Sequence, residues 1–234
     1  MGVRDGLLPG RIVLVNGGSQ GVGAAIARAA VREGAVVAVT GRRTEPGEAL
    51  VAEPAGAGGK AMFVRADLAD ADRARSAVAE VVDGFGRIDC LVNSAGLTSR
   101  GTLLDTTPEL FDAHIAINLR GPFFAMQAAV ADMVARKAPG TIVDVITSSA
   151  HGGRPFLAPY AAAKAGLMGL TRNAAHAHRW DRIRINGLNI GWTANRLGQP
   201  DEIADFVVFL LSDRSGVVTG SVIDWDQNVL GALD

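Results

Sequence analysis

Short apolar runs alternate with longer amphipathic stretches along this chain, and that alternation limits the possible folds more than any other feature. Arg11–Val15, Ala35–Thr40 and Ala61–Val64 read as strands, as do Cys90–Asn93, Thr141–Ile146, Ile183–Asn186 and Ser221–Trp225. Helical patterns predict helices over 22–33, 70–83, 108–136, 159–179 and 201–211. Pro200-Asp-Glu202 suits the opening of the last one, where a missing N–H and negative charge are both tolerated. Strands that are apolar at nearly every position must be covered on both faces, as in a parallel sheet between helix layers. The chain carries no repeat or interdomain linker, so the expectation is one α/β domain over 1–234. It is expected to be doubly wound around a seven-stranded parallel sheet, with helices on both faces.

Between the first strand and first helix lies Asn16-Gly-Gly-Ser-Gln-Gly-Val-Gly23. Glycines there let the chain turn tightly and let backbone approach a pyrophosphate, which then meets the helix amino terminus. The spacing is Gly-x-x-x-Gly-x-Gly, through Gly17, Gly21 and Gly23, with Ser19, Gln20 and Val22 between them. The second strand ends in Thr40-Gly-Arg-Arg43. An acid at that strand end selects a bare ribose, whereas arginine accommodates a 2′-phosphate. Gly41 leaves the position without an acid, and Arg42 and Arg43 bring fork-shaped positive charge, which favours NADP over NAD.

Composition narrows the function classes further. A formal net charge of −1 argues against a general nucleic-acid surface. No apolar run reaches membrane-spanning length, and the amino terminus has no signal-peptide stretch, so a cytoplasmic protein is expected. Cys90 is the one cysteine; it forms no internal disulfide and reads as a buried thiol. His176 and His178, two apart on a helix, point in different directions and make no metal pair. Trp180, Trp192 and Trp225 read as packing residues.

Tyr160-Ala-Ala-Ala-Lys164 places a phenol and an ammonium one helical turn apart. A nearby cation favours the phenolate of a tyrosine that otherwise titrates near ~10. Together with the glycine turn, this pair makes the sequence resemble the short-chain dehydrogenase/reductase family along nearly its whole length. Asn93-Ser-Ala-Gly96 resembles that family's Asn-Asn-Ala-Gly signature, and Asp67-Leu68 its adenine contact. Asn118 matches its helix asparagine. The resemblance implies a Rossmann-like fold, a small alcohol or carbonyl substrate, hydride transfer without metal, and a homo-oligomer, either tetramer or dimer. It assigns cofactor contacts to Asn93, Ala95, Gly96, Gly191 and Thr193 besides the glycine turn, Arg42, Arg43, Asp67 and Leu68. By the same resemblance Tyr160 exchanges a proton with the substrate oxygen, Lys164 binds the nicotinamide ribose and lowers the Tyr160 pKa, and Asn118 holds a relay water.

The hydroxyl partner stays open between two residues. Thirteen positions before Tyr160 stands Thr147, followed by Ser148 and Ser149. Strand alternation favours Thr147; if the strand has already ended, Ser148 serves instead. His151 and Phe156, in the segment before Tyr160, are either substrate contacts or ordinary loop and packing residues. Alternatives to an NADP enzyme are an NAD enzyme of the same family and a catalytically silent nucleotide sensor or scaffold on the same fold.

One departure from the family concerns the substrate lid. Ile190 replaces the usual proline, and the chain runs directly through Gly191-Trp-Thr-Ala-Asn-Arg196, so the lid expected near 193–196 is absent. Either the site is open or a mobile loop is missing from the sequence as given. Intact mass separates the two: a value well above 24.2 kDa means that residues are missing, and agreement means that they are not.

Overall fold

The computed structural model describes residues 6–56, 60–152, 154–191 and 199–225. Seven strands run β1 (Ile12–Asn16), β2 (Val36–Gly41), β3 (Ala61–Arg65), β4 (Cys90–Asn93), β5 (Gly140–Ile146), β6 (Ile183–Asn189) and β7 (Val222–Asp224). They form one sheet in the order β3-β2-β1-β4-β5-β6-β7. All six neighbouring pairs are parallel. The chain winds outward from β1 to β3, then returns to lay β4 on the other side of β1. Their carboxyl ends therefore flank the point where strand order reverses, the place for a ligand crevice in such a sheet.

Alternation along each strand makes two cores. Val13 and Val15 pack with Val37, Val39 and Val143 against α1 (Gly21–Arg32) and, farther along, α7 (Pro200–Leu211). Ile12 and Leu14 join Leu91 and Ile142 on the other face, under α3 (Ala71–Phe85) and α5 (Gly121–Ala135). Seven of the twelve residues in α1 are buried, mostly alanines, so helix and sheet approach closely there. Replacing fully buried Leu14 by alanine would cost about 2–5 kcal/mol.

Two helical expectations change. The chain between β2 and β3, given no helix by the sequence patterns, forms α2 (Thr44–Gly56). Pro46 and Gly47 hide it, because both read as breakers. Pro46 sits in the first turn, where a missing N–H costs nothing, and Gly47 lies where a Cβ would meet the Phe63 ring at 2.1 Å. The helix expected over 108–136 is interrupted: α4 (Pro108–Ile115) passes into a π-helical turn, Ala116–Arg120, before α5 begins. Pro122 has no N–H to donate to the Asn118 carbonyl, so regular α-helical pairing fails at that point.

Cys90 is fully buried as expected, and burial pushes its thiol up to about 12 from 9.0. Trp225 packs on Phe206 at 4.8 Å, in keeping with a packing role. Trp180 does not: it is 81% exposed, with the Arg179 guanidinium 5.0 Å from its ring. It stands in the 3-10 turn Arg179–Asp181 after the helix, where no residue is buried. Trp192 lies outside the described residues. At pH 9, iodoacetamide should leave native Cys90 unmodified and alkylate it once denaturant unfolds the chain. Rapid labelling of native protein would contradict this packing.

Candidate active site

A cleft of about 420 Å³ opens over the carboxyl ends of β1, β2 and β4. Its floor is the turn from β1 to α1. Gly17 holds φ +74°, and a Cβ there would lie 2.6 Å from the Ala95 Cα, so any other residue would displace the wall made by the turn after β4. Gln20 precedes α1 without a side-chain cap, and the first turn carries no acid. The leading N–H groups of α1 thus remain for an anion, which the helix dipole also favours.

Ser19, Gln20, Gly21, Val22 and Gly23 line this floor, and Ala95 and Gly96 line the wall above it. Arg42, Arg43, Asp67 and Leu68 line one end; Tyr160 and Lys164 line the other. Arg43 donates to the Gln20 side-chain oxygen, and Arg65 Nε donates to the Arg42 carbonyl at 3.3 Å. Asp67 accepts the Ala69 N–H at 3.0 Å, which fixes its carboxylate at the rim. These features fit a dinucleotide: close backbone and uncapped N–H groups suit a pyrophosphate, and the exposed arginines suit a further phosphate.

Two assigned cofactor contacts lie outside the cleft lining. Asn93 is 2% exposed, its amide hydrogen-bonded to Asn16 and Asp144 on the neighbouring strands. Gly191 is outside the cleft lining, its N–H donating to Asn189 Oδ1 at 2.9 Å. Thr193 and the expected lid near 193–196 lie outside the described residues.

Asn93 belongs to a row of polar side chains that extends the apolar face Ala38-Leu14-Leu91-Ile142 by one step along each strand. The Gly17 N–H donates to Thr40 Oγ1 at 3.1 Å, and Thr40 donates to Asn16 Oδ1 at 3.1 Å. Asn16 Nδ2 then donates to Asn93 Oδ1 at 3.0 Å, and Asn93 Nδ2 to Asp144 Oδ1 at 2.8 Å. Thr171, on α6 (Ala158–His178), reaches Asp144 Oδ2 at 2.8 Å. Sequence reading missed Asp144, because its partners lie on other elements and no local spacing points to it.

At the Tyr160 end, β5 has closed at Ile146, yet Thr147 keeps an extended backbone at φ −144° and ψ 154°, and its side chain reaches the tyrosine. A hydrogen bond from Thr147 favours the phenolate, but burial outweighs it and pushes Tyr160 up to about 12. Ser148 begins a 3-10 turn, and its Oγ is buried without a hydrogen-bond partner. Thr147 is therefore the hydroxyl that meets Tyr160. The expected lowering of Tyr160 by Lys164 is not found in this geometry. Lys164 is 3% exposed, donates to the Val145 carbonyl at 2.7 Å, and is itself pushed down to about 8 by burial. Desolvation, acting against both charged forms, decides the outcome.

Asn118 is completely buried, and its side chain is occupied by protein. It accepts the Leu97 N–H at 3.0 Å, donates to the Leu97 carbonyl at 3.0 Å and donates to His114 Nδ1 at 3.1 Å. The side chain thus holds the wall beside Gly96, and a relay water would have to use the backbone carbonyl that Pro122 leaves without its α-helical donor. Those bonds put the His114 proton on Nε2, facing the Ser99 carbonyl at 3.1 Å, and burial lowers its pKa. The His114 ring meets Tyr160 edge-on at 6.1 Å. Its spacing of four from Asn118 was the available sequence signal.

Among the described residues no group of three potential metal-ligating side chains gathers, and no helix is long and apolar enough to cross a membrane. The family model for short chain dehydrogenase matches residues 11–202. A 3-oxoacyl-(acyl-carrier-protein) reductase of Thermotoga maritima is 33% identical, the alignment covering 95% of this chain and 99% of that protein. An L-rhamnose 1-dehydrogenase (NAD(P)(+)) of Azotobacter vinelandii is 35% identical over 92% of this chain and 94% of that one. The crystal structure of a short chain dehydrogenase from Mycobacterium smegmatis superposes with a TM-score of 0.90 at 31% identity, covering 96% and 95% of the two chains.

Replacing Asn118 by alanine leaves both Leu97 backbone groups without their partner. The expected loss is about 1–3 kcal/mol, read as a lower denaturation midpoint together with weaker dinucleotide binding. An unchanged midpoint would show that the clamp is dispensable.

Proposed function

The chain belongs to the short-chain dehydrogenase/reductase family and is an oxidoreductase acting on CH–OH and C=O groups, and we propose that it is an NADP-preferring member using Tyr160, Thr147 and Lys164. The observation that carries this reading is the arrangement of one cleft: Tyr160 and Lys164 line one end, and Arg42 and Arg43 line the other, where a 2′-phosphate would lie. The bound nicotinamide supplies or accepts the hydride.

The chain's own residues handle the proton and the orientation. Thr147 donates a hydrogen bond that orients the reacting oxygen beside Tyr160. With its phenol pushed up to about 12, Tyr160 is protonated at neutral pH and suited to donate a proton to a carbonyl oxygen. Alcohol oxidation needs the phenolate and therefore a nearby positive charge, which the Lys164 ammonium supplies when it turns from the Val145 carbonyl toward the cleft. Lys164 also binds the ribose hydroxyls. The segment ending at Leu157, tied to Gly101 by a parallel bridge, would form a side wall of the substrate pocket. A small-molecule substrate and a homo-oligomer are the parts of this reading that rest on family resemblance.

A panel of carbonyls and alcohols with NADPH/NADP and NADH/NAD tests it, alongside dinucleotide titrations. Tighter binding of NADPH and turnover that falls at least ~100-fold in Tyr160→Phe are expected. Undiminished turnover in that variant refutes the mechanism. Equal or tighter NADH binding transfers the assignment to NAD, and binding without turnover across the panel favours a nucleotide sensor.

A further inference from the structure

Lys164 presents a problem that the proposed chemistry does not resolve. An ammonium buried to 3% exposure keeps its charge only if something in the interior offsets the loss of water. The Val145 carbonyl accepts one of its hydrogens. No side chain among the described residues forms an ion pair with it at contact distance.

We propose that Asp144 is the buried counter-charge of Lys164, a positioning residue that keeps the lysine an ammonium from within the sheet. This rests on the reading of Lys164 as part of the active site, and it adds a residue outside the cleft lining.

The direction of the hydrogen bonds carries the argument. A backbone N–H can only donate, so Gly17 makes Thr40 Oγ1 an acceptor and sends the Thr40 hydrogen to Asn16 Oδ1. Asn16 must then donate from Nδ2 to Asn93 Oδ1, and Asn93 from Nδ2 to Asp144 Oδ1. Asp144 Oδ1 therefore receives a hydrogen and cannot supply one. At Oδ2 the single Thr171 hydrogen chooses between Asp144 and the Leu167 carbonyl, both at 2.8 Å. In this proposal the carboxylate is ionised and takes that hydrogen, whereas a protonated Oδ2 would donate to Thr171 and send the threonine hydrogen to Leu167. The row is thus oriented, from a main-chain donor in the glycine turn, to stabilise negative charge at a residue with 0% exposure.

The two groups act on each other in the expected sense. Burial is the larger influence on both, raising the Asp144 pKa and lowering that of Lys164 to about 8; against it, Asn93, Thr171 and Lys164 favour the carboxylate and Asp144 favours the ammonium. Asp144 on β5 is the charged group acting on Lys164 among the described residues; on its own helix the titratable neighbour is Tyr160. Contact between Asp144 and Lys164 would form a closed ion pair and hold the ammonium away from the cleft. Separation leaves the charge in place and the hydrogens mobile.

The chain has three lysines, Lys60, Lys137 and Lys164, so protein labelled with 13C-lysine yields three Cε signals, assignable with Lys164→Arg. Their pH titration reads the lysine charge directly, whether or not turnover occurs, and so separates this proposal from the Tyr160→Phe test. In the wild type the Lys164 signal is expected to titrate near 8. In Asp144→Asn, which keeps the shape and removes the charge, its midpoint should fall by about one pH unit, a ~10-fold loss of proton affinity. An unchanged or raised midpoint in folded Asp144→Asn overturns the proposal. If that variant does not fold, Thr171→Val takes its place. It keeps the carboxyl group but removes a donor to the carboxylate, and should lower the midpoint in the same direction by a smaller amount; no movement there overturns the proposal equally.

Discussion

The polar row Thr40-Asn16-Asn93-Asp144 is the constraint on which the rest of the site depends. Each member stands beside the next in strand register: Asn16 pairs with Asn93 and Asn93 with Asp144, while Thr40 follows the Val15–Val39 pair. These side chains occupy the last step of a face that is otherwise apolar, where the sheet gives way to the cleft. A buried row of this kind is tolerable only when every group is satisfied, and here each donor finds an acceptor in sequence. Its hydrogen bonds tie the glycine turn to β4 and β5, so the cofactor floor and the catalytic wall share one scaffold. A slip of one residue in any of these strands would turn its member to the opposite face and break the chain of donors.

Burial gives the site its electrical character. Tyr160 is held protonated and Lys164 is brought within reach of neutral pH, each because the interior disfavours its charged form. Simple proximity of phenol and ammonium along a helix suggests the opposite for tyrosine. In this geometry the lysine faces the Val145 carbonyl, and desolvation outweighs attraction. The same arrangement leaves both groups responsive to a change in contacts, since moving one ammonium hydrogen from a carbonyl to the cleft alters the balance. The Asn118 clamp on Leu97 and the π-helical turn beneath it keep the facing wall still while this occurs.

Much of this architecture was legible in the residues. All seven strands lie within three residues of their expected ends, because apolar runs bounded by glycine and charge leave few alternatives. Most of the cleft's lining also followed from motifs, since the glycine turn, the arginines after β2 and the Tyr160–Lys164 pair each depend on short-range spacing. Helix α2 was missed because a proline in the first turn and a glycine under Phe63 imitate a loop. The break at Asn118 lay hidden in a pattern that is helical on both sides of Pro122. Asn93 was placed in the cofactor site by its motif, yet its register with Asn16 and Asp144 draws its amide into the sheet.

The sequence by itself therefore determined the class of fold, the site of the glycine turn and the identity of the tyrosine–lysine pair. These are properties of period and local spacing, which the chain carries before it folds. Only the tertiary structure decided that Thr147 rather than Ser148 meets Tyr160, that Asn118 spends its side chain on Leu97, and that Asp144 sits within the field of Lys164. Each of those outcomes depends on which strands lie side by side and how far water is excluded, and neither is encoded in any short stretch of residues.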